Sequence, residues 1–179
     1  VNTLRTTTDA LVEELEREDV VALPHEWMKD CLVLSNTGNL EKLRSFRDGL
    51  FYVQDAAARL SVMCAQIPTG DSVRVLDCCA APGGKTFAAA IAMEGRGKIR
   101  SCDIHRHKTT LIQKGADRLG LHNVLVREQN ATENHPAWFE KMDVVIADVP
   151  CSGYGIIRKK PDIRYKNIED MAQLPALQL

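Results

Sequence analysis

From Ser72 onward, short strand-like runs alternate with helical segments, and that alternation leaves few folds open. The runs are Val73–Leu76, Lys98–Cys102, Val124–Val126 and Asp143–Ala147. Between them lie an Ala-rich segment after residue 84 and a helix over His107–Leu119, with Leu111, Ile112 and Leu119 at core spacing. Such strands separated by helices, the fourth of them almost wholly apolar, imply a parallel sheet covered on both faces. The expected fold class is a doubly wound, Rossmann-like α/β domain.

The first third reads as a smaller α/β unit. Val1–Leu4, Asp30–Ser35 and Leu50–Val53 are expected strands, with Gly38 and Gly49 marking turns. A helix follows Thr8 or Asp9 as N-cap and buries Leu11, Val12 and Leu15. A second helix, Ala56–Gln66, stops before Pro68-Thr69-Gly70, which places a boundary between 1–67 and 68–179.

Bulk properties narrow the function. A formal net charge of -1 excludes coating of nucleic acid by charge alone, while leaving room for a local basic groove. The cysteines at 31, 64, 78, 79, 102 and 151 have no C-x-x-C spacing, so free or buried thiols in a reducing compartment are expected. The histidines at 25, 105, 107, 122 and 135 offer no metal-ligand spacing, and no metal is expected. The opening Val1–Thr8 is polar, unlike a leader, and no stretch approaches the roughly 20 apolar residues that span a bilayer. A cytoplasmic protein with no membrane partner is expected.

In doubly wound sheets the ligand sits beyond the carboxyl ends of the strands, where strand order reverses. Asp77-Cys78-Cys79-Ala80-Ala81-Pro82-Gly83-Gly84-Lys85-Thr86 falls there. Its small residues let a ligand approach the backbone, and its amides lead into a helix N-terminus suited to a carboxylate or phosphate. The loop lacks the G-x-G-x-x-G of a dinucleotide site. Gly84-Lys85-Thr86 matches the tail of a P-loop, but Cys79 stands where a P-loop needs its first glycine. S-adenosylmethionine, which carries a carboxylate and a ribose but no phosphate, suits such a loop. Asp103, 20 residues after Gly83 at the end of the next strand, is placed to accept both ribose hydroxyls or to cap the following helix.

The fourth apolar run leads into Asp148-Val149-Pro150-Cys151-Ser152-Gly153-Tyr154-Gly155, then a stretch ending Arg158-Lys159-Lys160-Pro161-Asp162-Ile163-Arg164. With CAAPGGKT, this resembles the Sun-type family of RNA cytosine-5 methyltransferases, and is most similar to its bacterial ribosomal-RNA branch. Val1–Leu4 and Gly49–Asp55 also look like that family's small RNA-positioning domain, so the resemblance covers nearly the whole chain. It implies S-adenosylmethionine as cofactor and RNA, ribosomal RNA above all, as partner. It implies that Cys79, Ala80, Ala81, Pro82, Gly83, Gly84 and Lys85 line the cofactor pocket and that Asp103 holds the ribose. Asn130 stands where the family has an aspartate beside the adenine. Asp148 is implied between the cofactor's methionine end and the target base, and Val149 replaces the family's usual alanine.

Cysteine suits this chemistry. Carbon 5 of cytosine is a weak nucleophile, and a thiolate added to carbon 6 pushes electron density onto it. An acid such as Asp148 hydrogen-bonded to the ring would assist the addition. In the family the cysteine matching Cys151 breaks the covalent adduct, while the nucleophile lies in a later threonine-cysteine motif. No cysteine follows Cys151 here. The expectation is a sheet incomplete at its C-terminus, whose missing part is a candidate partner. A nucleophilic Cys151, a purely structural thiol and a cofactor-binding module without chemistry remain open as alternatives. Arg158, Lys159, Lys160 and Arg164, with Lys166 and an interleaved Tyr165, are the candidates for RNA contact.

Overall fold

The computed structural model describes residues 1–167 and 169–179. Its N-terminal unit is built on helix α1 (Thr8–Arg17) and an antiparallel hairpin of β1 (Val21–Pro24) and β2 (Leu32–Ser35). The α1 cap is Thr7, one residue before the expected position, because Thr7 is the last extended residue. Its hydroxyl accepts from the Ala10 amide at 3.2 Å. Leu11 and Leu15 are buried against Val20, Ala22 and Phe51, while Val12 is only partly buried.

Two expected strands do not form. Val1–Leu4 is a turn organised by Asn2, which is fully buried. The Asn2 amide nitrogen donates to the carbonyls of Gly49 and Leu119, both at 2.9 Å, and its backbone N–H donates to Leu50 O at 2.8 Å. A side chain that collects carbonyls from two separate segments replaces a strand ladder. Leu50–Val53 joins no sheet; Phe51 is buried inward and Val53 is 61% exposed. The short helix α2 (Arg44–Arg47) precedes this stretch. Helix α3 (Ala56–Cys64) follows it, capped by Asp55, and ends two residues before the expected Gln66.

The larger unit contains β3 (Arg74–Asp77), α4 (Gly84–Ala92), β4 (Lys98–Asp103), α5 (Arg106–Leu119), β5 (Val124–Glu128) and β6 (Val144–Ile146). The sheet is wholly parallel in the order β5-β4-β3-β6, with Ile99 opposite both Val75 and Val124, and Val75 also opposite Val144. Strand order reverses between β3 and β6. Helix α4 is Ala-rich because it is enclosed: Phe87, Ala88, Ala89, Ala90 and Ile91 are all buried. Helix α5 contributes Ile112, Ala116 and Leu119 to the same core and stops at Gly120 in the left-handed region. Leu111 is 51% exposed, so the expected core position shifts to Ala116, four residues after Ile112 on the same helix face. Val62 of α3 joins this core too.

The expectation of cover on both faces holds for one face only. The β5–β6 connection carries a single 3-10 turn, Pro136–Trp138, instead of a full helix. On that side Leu76, Cys78, Cys102 and Val145 line a cavity of about 300 Å³ with Trp138 and Phe139, and Val145 is 56% exposed. After β6 the backbone makes 3-10 turns at Tyr154–Ile156 and Pro161–Tyr165 and ends in helix α6 (Leu174–Gln178). All six cysteines are free, and Cys102 is buried. No helix among the described residues is long and apolar enough to cross a membrane.

Candidate active site

The loop after β3 is laced across its neighbouring strands. Cys78 N donates to Ile146 O at the end of β6 (2.9 Å), and Ala80 N donates to Cys102 O in β4 (2.8 Å). Gly83 then turns the chain into α4 with φ of 112°. A Cβ there would lie 2.3 Å from the Phe87 ring, so only glycine fits. Helix α4 has no side-chain N-cap, which leaves its first amides without a side-chain acceptor. Ala80 and Gly83 are buried; Cys79, Ala81, Gly84 and Lys85 are half-buried; Pro82 is exposed.

Three strand ends bring the expected side chains together around this loop. The Lys85 ammonium lies 2.5 Å from the Asp148 carboxylate, joining the start of α4 to the segment after β6. Asp103, 6% exposed, accepts from His105 N at 3.1 Å and lies 3.9 Å from Lys108 Nζ. Gln129 N donates to Asp103 O at 3.0 Å, which brings the end of β5 beside Asp103. The next residue, Asn130, turns its Oδ1 onto Thr132, accepting from the backbone N–H at 3.1 Å and the hydroxyl at 2.8 Å. Burial raises the Cys79 thiol, and the charges of Asp103, Asp77 and Asp148 raise it further, which disfavours a thiolate at that position.

Sequence reasoning missed a buried polar network beneath the loop. Asp77, Thr86 and Ser101 are each 0% exposed. Thr86 Oγ1 donates to Asp77 Oδ2 at 2.7 Å and lies 2.7 Å from Ser101 Oγ, while Asp77 Oδ1 has no partner. Burial pushes the Asp77 carboxyl up to about 6, against the opposing Thr86 hydrogen bond and the charge of Lys85. The available signal was a polar residue at the apolar positions of each of β3, α4 and β4.

Cys151 is exposed in the segment after β6, as are Arg158, Lys159, Lys160 and Arg164. Lys159 pairs with Asp55 of the N-terminal unit, and Lys166 Nζ donates to Ser152 O at 3.0 Å. Arg164 stacks 4.8 Å from the centroid of Tyr165, a ring that is 75% exposed. Among the described residues no group of three or more His, Cys, Asp or Glu side chains converges as a metal site would.

The profile of the family described as 16S rRNA methyltransferase RsmB/F matches residues 64–179. The chain belongs to this family. It is 35% identical over 181 residues to the probable ribosomal RNA small subunit methyltransferase B of Bacillus subtilis strain 168, covering all of this chain and 40% of that protein. The ribosomal RNA small subunit methyltransferase B of Serratia proteamaculans strain 568 is 31% identical over 179 residues, with 99% and 41% covered. The chain therefore spans about two fifths of the length of these relatives. A methyltransferase homolog from Pyrococcus horikoshii superposes with a TM-score of 0.76 at 26% identity, over 95% of this chain and 53% of that one. NSun6 from the same organism, solved with SFG, gives a TM-score of 0.81 over 99% of this chain and 69% of that one; at 19% identity it shows the shared fold alone. The RsmB/F family is S-adenosylmethionine-dependent, and the Rossmann-like sheet is the one expected of it.

Proposed function

We propose that this chain holds S-adenosylmethionine at the β3–α4 loop for methylation of carbon 5 of a cytosine in ribosomal RNA. The observation that carries this reading is the Lys85–Asp148 contact, which sets a carboxylate from the D-V-P-C-S-G segment against the cofactor loop. The residues present fit the cofactor: an uncapped helix start for its carboxylate and a nearly buried Asp103 for its ribose. When bound, the cofactor supplies an electrophilic methyl group.

The residues of this chain take the remaining binding and positioning parts. Cys79 through Lys85 shape the pocket, and Asn130 turns at the adenine end. Asp148, steered by Lys85, accepts a hydrogen bond from the amino group of the target cytosine; the thiolate that would add to carbon 6 is that of a cysteine in a later motif, not among these 179 residues. Cys151, exposed three residues further on, helps break the adduct and release product. The unit up to residue 67 positions the RNA, and Arg158, Lys160 and Arg164 meet its phosphates. A cytoplasmic location accompanies this reading.

The test is tritium release. The full gene product is incubated with S-adenosylmethionine and small-subunit ribosomal RNA labelled with tritium at cytosine carbon 5. Cofactor-dependent release of the label is expected. Methyl incorporation without release would place the methyl on another atom and overturn the cytosine-5 assignment.

A further inference from the structure

Gln54 sits where the N-terminal unit meets the cofactor loop, and both of its amide atoms are unsatisfied. Nε2 and Oε1 are buried from solvent and have no hydrogen-bond partner. Buried amides are nearly always paired, so an orphan of this kind calls for a physical reason. The side chain is held in place on both flanks. Tyr52 packs edge-on against Phe87 of α4 with ring centroids 6.0 Å apart, and Arg59 donates to the Tyr52 hydroxyl at 2.9 Å. Asp55 caps α3 and pairs with Lys159.

The direction of the amide is informative. The atom nearest to where a Gly84 Cβ would stand is Gln54 Nε2, at 3.4 Å. Gly84 opens α4, whose first amides lack a side-chain cap, and the Lys85 ammonium follows it. The Gln54 carboxamide, unpaired at both Nε2 and Oε1, therefore lies beside a helix start that offers only donors, where its NH2 end can act with them. Lys85 already pairs with Asp148, whereas the Gln54 amide and the first α4 amides have no side-chain acceptor, and an anion would supply one.

We propose that Gln54 is a cofactor-binding residue, its Nε2 donating to the carboxylate at the amino-acid end of S-adenosylmethionine. This rests on the cofactor reading above and extends the pocket to a residue of the N-terminal unit.

The test compares two ligands by calorimetry. S-adenosylmethionine carries the amino-acid end; 5′-methylthioadenosine keeps the adenosine and sulfur but lacks it. Gln54→Ala is expected to weaken S-adenosylmethionine binding about tenfold and to leave 5′-methylthioadenosine within about twofold. Gln54→Met, which keeps the volume, is expected to do the same and serves if the alanine variant does not fold. Equal weakening of both ligands, or of neither, would overturn the proposal and leave the cofactor reading standing. Failure of the folded wild-type chain to bind S-adenosylmethionine at all would overturn both.

Discussion

Lys85 and Asp148 are 63 residues apart in sequence, and their charged groups meet at 2.5 Å across the carboxyl ends of β3 and β6. The contact is open to water, with the Asp148 side chain 59% exposed. An ion pair in that setting contributes at most about 1 kcal/mol to stability. Asp148→Asn is therefore expected to move the urea midpoint by an amount worth less than about 1 kcal/mol. A larger loss would show the pair to be a structural strut.

The Asp77 carboxyl supplies a pH signature. Its folded value of about 6 stands above the ordinary 3.8. The stability tied to its proton is complete below pH 3.8 and is lost as pH rises through about 6. The full shift corresponds to about 3 kcal/mol. Asp77→Asn keeps an acceptor for Thr86 and removes the titration, so the variant should gain on the wild type between pH 4 and pH 8. Parallel stability profiles of the two proteins would contradict the assignment.

Gly49 and Asn2 lock the N-terminal unit to α5. A Cβ on Gly49 would lie 2.0 Å from the Arg118 carbonyl oxygen, and its φ is +71°. Gly49→Ala is expected to cost about 2–4 kcal/mol, since both the backbone conformation and the contact resist it. Asn2→Ala, which strands two buried carbonyls, should cost about 2 kcal/mol or more. Thermal unfolding measures both; near-neutral values would mean the two units are not joined there.

The strands of the parallel sheet were legible because most carry short apolar stretches bounded by turns and separated by helices, and the β3–α4 loop because its small residues sit between a strand and a helix. Other features depend on contacts that no local pattern announces. Val1–Leu4 has strand-like residues at its ends but folds as a turn around Asn2, whose partners lie at Gly49 and Leu119. Val21–Pro24 forms β1 although a proline closes it, because only the hairpin with β2 supplies its pairing. Gln54 and Asp77 were each visible as polar residues. Their burial and missing partners arise from packing between segments distant in sequence.

The basic segment predicts a salt-dependent contact. Arg158 and Lys160 are exposed and form no ion pair among the described residues, unlike Lys159. Replacing both with alanine is expected to weaken RNA binding and to flatten the log-affinity against log-salt slope by about 0.7 per lost phosphate contact. Filter binding at several salt concentrations measures it. An unchanged slope would remove these residues from the RNA surface.

Thiol labelling separates the cysteines. Cys151 and Cys64 are exposed, whereas burial raises the Cys102 thiol to about 11. Iodoacetamide near neutral pH should label Cys151 and Cys64 well before Cys102, as read by peptide mass spectrometry. Early labelling of Cys102 would contradict its enclosure.

The most direct measurement is a calorimetric titration of this chain with S-adenosylmethionine, run beside ATP. Saturable binding of S-adenosylmethionine with no binding of ATP is the predicted result, because the loop has Cys79 where a phosphate-binding loop needs glycine. Selective binding of ATP would contradict the assignment of the β3–α4 loop as a methyl-donor site.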